Sequence, residues 1–213
     1  MTSKTEQLPS LSQMGDADIV RALVSAIATV TIVGVGLSLT TALLGLRLAE
    51  QGFSARAIGF HATTGGLAVM AGAASVPALA RRYRIRPLLF FALLLSGMCL
   101  LCFPLTSDYW AWLLIRTVFN WALSLLFVTS EYWINAMAPP RLRGFVLGFY
   151  MTSLSGGFAA GPFILGLVGI EGAAPFLVAA ALFALAVLPV LLRGGQPPEI
   201  MGAAAVRVWP FLT

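Results

Sequence analysis

The sequence predicts an all-α polytopic membrane protein with six transmembrane helices. Three observations carry this. Of the 213 residues, 59% are hydrophobic and only 10% are charged, against about 25% charged in a soluble domain. The charges stand in short clusters between long uncharged runs. Those runs lack the polar–apolar alternation over about ten residues that a barrel strand needs. Lipid offers backbone polar groups no partner, so helices remain. A net charge of +5 does not point to nucleic acid, because the basic residues do not line one face.

The uncharged gaps locate the spans. Twenty-five residues separate Arg21 from Arg47, and 24 separate Arg56 from Arg81. Twenty-one lie between Arg86 and Asp108, 27 between Arg143 and Glu171, and 21 between Glu171 and Arg193. A helix crosses the hydrocarbon core in about 20 residues. The expected spans are therefore 22–47, 58–80, 87–106, 144–169 and 173–192. The segment 110–136 is the remaining span, the fourth in chain order. It is apolar but holds Arg116, Asn120, Glu131 and Asn135. Trp110, Trp112 and Trp133 suit its two interfacial ends.

Residues 1–20, with Glu6, Asp16 and Asp18, read as a polar N-terminal tail. The apolar run after them is too long for the core of a cleavable signal. Residues 21–193 form the six-span domain. Residues 194–213, with Pro197-Pro198, read as a tail or the start of a linker. Arginine sets the orientation. Arg81, Arg82, Arg84, Arg86, Arg141, Arg143, Arg193 and Arg207 share one side with Lys4 and Arg21 if the spans alternate. The excess of basic residues places that side, and both termini, in the cytoplasm of a cell in which the inner or plasma membrane is crossed. Cys99 and Cys102 lie in an uncharged run without further ligands. They read as small hydrophobes rather than a metal or redox pair, and no cofactor is expected.

A charge at the centre of a span costs roughly 2.5–3.5 kcal/mol on the insertion scale, so its direction matters. At 100° per residue from Arg116, Asn120 falls at about 40°, Glu131 at about 60°, Ser124 at about 80° and Asn135 at about 100°. These polar residues share one stripe, which should face protein or water. Arg116 and Glu131 lie about 22 Å apart along the helix and cannot pair. A weaker stripe on span 1 joins Ser25, Thr29, Gly36, Thr40 and Arg47. Arg116 and Asn120 are the expected substrate or proton contacts, with Thr40 as a further polar group on span 1. Glu131 and Asn135 are placed near the cytoplasmic mouth, where Glu131 can also join Arg141 or Arg143. His61, the only histidine, suits a proton carrier or a hydrogen-bonded packing residue.

Span 5 reads GFYMTSLSGGFAAGPFILG from Gly148 to Gly166. Its Gly148, Gly157, Gly161-Pro162 and Gly166 resemble the antiporter signature in the fifth helix of the major facilitator superfamily. Leu165 stands where that signature has the first glycine of its final pair. Other segments depart further. In PALARRYRIRP, from Pro77 to Pro87, Arg82 and Arg86 fit the family's loop between helices 2 and 3. Arg81 stands where the family has an acid, and Arg84 where it has a glycine. Arg116 fits the family's arginine in helix 4, but Asn120 replaces a glycine. SEYWINAMAPPRLRG, from Ser130 to Gly144, is similar to a bacterial permease subgroup.

The resemblance covers one six-helix half of a twelve-helix architecture. It implies two inverted three-helix repeats, with helices 1 and 4 lining a central cavity, and alternating access for a small solute. It further implies proton coupling, export, and a hinge at Gly157, Gly161 and Pro162. The partners expected are the lipid bilayer, a small-molecule substrate, a proton, and a second six-helix half or a second copy. The alternative is a truncated, non-transporting half-bundle that is inert or binds a full-length partner. An intramembrane protease is disfavoured: Ser155 follows His61, the reverse of the order such enzymes show. No enzymatic activity is expected.

Overall fold

The computed structural model describes residues 16–191. The expected tails therefore lie almost entirely outside the described residues, together with Lys4, Arg193 and Arg207. The order is α1 (Asp16–Glu50), α2 (Ala55–Arg82), α3 (Ile85–Cys102), a 3-10 turn (Phe103–Leu105), α4 (Tyr109–Met137), α5 (Arg143–Val168) and α6 (Ala174–Leu191). All six helices are long and apolar enough to cross a membrane. Each expected span coincides with one of them, and no strand occurs among the described residues.

Local chemistry sets the ends. Ser54 accepts a hydrogen bond from the Ala57 amide and opens α2. The Asp108 carboxylate accepts from the Ala111 amide at 2.8 Å and opens α4. Both satisfy backbone donors that the first helical turn leaves without partners. α5 ends at Gly169, and Gly172 follows in the loop, with φ of 81° and 61°. Only glycine adopts that region without strain. The loop turns there, and the Gly172 carbonyl accepts from the Arg47 guanidinium at the end of α1.

Helices adjacent in sequence are mostly not neighbours in space. α1 packs on α5 and α6, with a smaller contact to α4. α4 packs on α2 and α3, and α3 meets α6. Exchanging α1, α2 and α3 for α4, α5 and α6 maps this pattern onto itself. The α1–α5 seam becomes α4–α2, and α1–α6 becomes α4–α3. The α3–α6 and α1–α4 contacts map to themselves. An odd number of spans per repeat makes the two repeats opposite in orientation. This is the inverted three-helix architecture. α2 and α5 occupy its flanks, each against one main neighbour.

Two kinds of contact hold the bundle. Leu39, Leu43, Leu44, Leu48, Leu89, Leu93 and Leu100 are buried in its core. Phe119 meets Phe183 at 5.7 Å between α4 and α6, and Phe103 stacks on Phe176 at 5.5 Å. Small residues then let backbones approach. Lipid is as apolar as leucine, so close van der Waals packing replaces the hydrophobic effect between spans.

The tryptophans divide. Trp110 is 66% exposed, as an interfacial residue should be. Trp112 and Trp133 are buried instead, at 2% and 3%, which corrects their reading as interfacial anchors. Trp112 donates from Nε1 to the carbonyls of Phe103 and Thr106 at 3.1 and 2.7 Å. It thereby fastens the α3–α4 turn.

Candidate functional site

The polar stripe on α4 splits into two parts. Its first part faces α2. Arg116 is only 8% exposed, and its Nη1 lies 3.1 Å from Nδ1 of the fully buried His61. A guanidinium has donors only. Nδ1 must therefore accept, which puts the proton of a neutral imidazole on Nε2. That Nε2 is buried and makes no hydrogen bond of good geometry, although the Trp112 backbone lies within reach of the ring. One turn along, Asn120 donates to the Arg116 carbonyl at 2.9 Å. Ser124 donates across the seam to the Val69 carbonyl at 2.8 Å.

Glycine on α2 makes this arrangement possible. A methyl group on Gly65 would come within 2.9 Å of Asn120 Nδ2 and 3.2 Å of Arg116 Nε. One on Gly72 would meet the Trp121 carbonyl and Ser124 Cβ at 2.7 Å. The seam is tight enough to seat the arginine directly against the histidine. Tyr109 closes the seam at the start of α4. Its ring centroid lies 5.6 Å from that of His61, and its hydroxyl donates to the Ala57 carbonyl at 2.9 Å.

The second part of the stripe is open. Glu131 and Asn135 are exposed. The buried Tyr150 on α5 donates its hydroxyl to Glu131 Oε1 at 3.0 Å. Asn135 donates to the Glu131 carbonyl at 2.9 Å. Arg141 and Arg143 stand exposed at the neighbouring α4–α5 turn and α5 start. The bond to Glu131 comes from Tyr150 rather than from either of them. Tyr150, Tyr109 and Gly65 escaped the sequence reading. Only the spacing of Gly65 and Gly72 on α2 offered a signal for the seam.

The α1 stripe has a different setting. Thr40 is buried and donates to its own helix at the Gly36 carbonyl, 2.6 Å away. Thr29 reaches the Ala186 carbonyl at 3.5 Å. A methyl on Gly36 would meet the Phe183 ring at 2.8 Å. This stripe packs on α6. On α5, a methyl on Gly157 would come within 2.7 Å of the Thr31 carbonyl. On Gly161 it would come within 2.6 and 2.7 Å of the Leu39 amide and the Val35 carbonyl. Gly148 and Gly166 face open space. α5 runs on through Pro162 without interruption.

The arginine-rich turn is partly engaged. Arg82 lies over the Tyr83 ring at 5.9 Å. Arg86 donates to the Val190 carbonyl at 3.2 Å and joins α3 to α6. At the opposite end, Arg47, Gln51, Thr106, Trp112 and Phe176 help line a cavity of about 370 Å³.

Comparison with known proteins agrees with this architecture. The family model described as Major Facilitator Superfamily matches residues 26–210. A Bacillus subtilis (strain 168) protein, named "Uncharacterized MFS-type transporter YfkF", is 27% identical over 170 residues. The match spans 80% of this chain and 44% of that relative, so the chain covers less than half the length of the protein it resembles. With six membrane-length helices in two inverted repeats and a family match over most of its length, the chain belongs to the major facilitator superfamily.

Proposed function

We propose that this chain forms the N-terminal half of a proton-coupled transporter that exports a small solute by alternating access. The observation that carries the reading is the buried Arg116–His61 pair in the α2–α4 seam. Ionisable groups at membrane depth are costly and mark solute or ion pathways. Gly157 and Gly161 at the α1–α5 seam support a moving part, and the glycine spacing of α5 favours export. The second six-helix unit is supplied either by further chain or by a second copy. The arginine-rich turns face the cytoplasm of a cell whose inner or plasma membrane the protein crosses, by the excess of basic residues at that end.

Uptake and efflux by proteoliposomes that contain the complete twelve-span assembly test this. Solute movement should follow an imposed pH gradient, and Arg116→Ala should abolish it. Wild-type flux that ignores the pH gradient removes the proton from the reading. Full flux in Arg116→Ala removes the site.

A further inference from the structure

The buried pair has a property that neither residue has alone. In the neutral state, the lone pair on His61 Nδ1 is taken by Arg116, 3.1 Å away. A proton can enter the ring only at that nitrogen. Once it does, an N–H faces an N–H and the hydrogen bond is lost. Two cations then stand side by side in a seam where His61 is fully buried and Arg116 only 8% exposed.

Nearby, the Trp112 backbone lies within reach of the ring, but it carries no full charge. The titratable and charged groups that face the ring among the described residues are Arg116 and Tyr109, both on α4. The Tyr109 hydroxyl is already committed to Ala57. On α2 itself, Arg56 is exposed near the helix start and adds only positive charge. Glu131, the stripe's carboxylate, lies about 22 Å along the helix. A protonated pair therefore needs an anion from outside the chain.

We propose that His61 and Arg116 form a latch that takes up one proton together with one carboxylate group of the transported solute. Neutral His61 holds the guanidinium and keeps the anion out. Protonated His61 releases it, and the two freed donors converge on one oxyanion in charge-assisted hydrogen bonds. Charge supports a monoanion. The resting seam carries one positive charge, on Arg116. With imidazolium and a carboxylate added it again carries one. Loading thus leaves the net charge buried in the membrane unchanged. This rests on the proton-coupled reading above but not on its direction. A solute that binds with a proton moves with it, so the latch works as a symport, and an inward proton gradient would drive uptake rather than the export that the α5 glycine spacing favours.

Linkage makes the latch measurable, since proton and anion must strengthen each other's binding by the same factor. His61 is the chain's only histidine, so ¹⁵N-histidine labelling reports one ring. The chain, purified without a histidine tag, would be placed in zwitterionic nanodiscs that supply no lipid anion. The probes are benzoate and inorganic phosphate. Without probe, the spectrum should show a neutral ring protonated at Nε2. Benzoate should raise the ratio of charged to neutral imidazole at fixed pH by about tenfold, as an opposite charge in direct contact does. Arg116→Gln should remove the benzoate response, and Arg116→Lys should keep part of it.

A ring protonated at Nδ1 in the resting state would overturn the latch, as would an imidazole that ignores benzoate. A response to phosphate alone would overturn the carboxylate assignment. The wild-type spectrum decides this even if a variant fails to fold. An imidazole that answers benzoate in a protein whose complete assembly shows no pH-driven flux keeps the latch and removes the transport reading. Flux without that answer does the reverse.

Discussion

The α1–α5 and α2–α4 seams are equivalent under the exchange that relates the two repeats, yet they hold different contents. In both, glycines on a flanking helix let it sink against a long central one. Gly157 and Gly161 serve α1, and Gly65 and Gly72 serve α4. The first seam is filled by backbone and small side chains, with Thr31, Val35, Ser38 and Leu39 against the glycines. The second uses the same closeness to press a guanidinium onto an imidazole. The repeat supplies the packing, and the residues placed in it supply the chemistry. A duplicated scaffold can therefore keep one seam as a joint and give the other a charge.

Substitutions separate the two contents. The largest effect is expected from Gly161→Val, because the new side chain meets the α1 backbone at Leu39 and Val35 rather than a movable side chain. It should destabilise by about 3 kcal/mol or more, read as a lower unfolding temperature in detergent. If Gly161→Val unfolds like wild type, the α1–α5 seam is looser than described. His61→Ala should come next. It leaves a buried guanidinium without its partner, at about 1–3 kcal/mol, and chemical denaturation would show it. An unchanged midpoint would mean that Arg116 is not desolvated there.

Gly72→Ala is the counterpart of the Gly161 change in the other seam. It confronts the Trp121 carbonyl and should cost about 1–3 kcal/mol. A near-zero loss would show that the α2–α4 seam can widen where its partner cannot. The smallest effects belong to Gly148→Ala and Gly166→Ala, which meet nothing and should stay within about 0.5 kcal/mol of wild type. A large loss at either in this chain alone would show that a second copy of the chain covers those faces.

The sequence makes five spans legible because each is bounded by charge; the fourth holds Arg116 and Glu131 within it and is read from its apolar content. Arg56, Arg86, Asp108, Arg143 and Glu171 stand at helix ends or in loops, and Arg21 lies in the second turn of α1. The polar stripe on α4 was legible from helical periodicity alone. What it faces was not. Periodicity shows that Arg116, Asn120 and Ser124 share a face, but not that His61, Gly65 and Val69 lie across from them. The Arg116–His61 contact joins positions 55 residues apart, and no local rule carries that distance. Thr40 shows the opposite failure. Its stripe was as polar as spacing allowed, and its hydroxyl is spent on its own helix. Tyr150 was missed because a tyrosine among glycines and phenylalanines carries no sign that a carboxylate lies nearby. Trp112 and Trp133 were misplaced because proximity to a span end does not say which way a ring points.

The order in which α2 and α4 appear along the chain bears on how the protein is made. Synthesis proceeds from the N-terminus. α2 therefore reaches the bilayer before α4, and His61, Gly65 and the Val69 carbonyl are already in place when Arg116 arrives. An unpartnered arginine would resist entry into lipid. Here the acceptor waits in the membrane for the charge. A chain in which α2 is delayed or mispositioned should therefore admit α4 less readily.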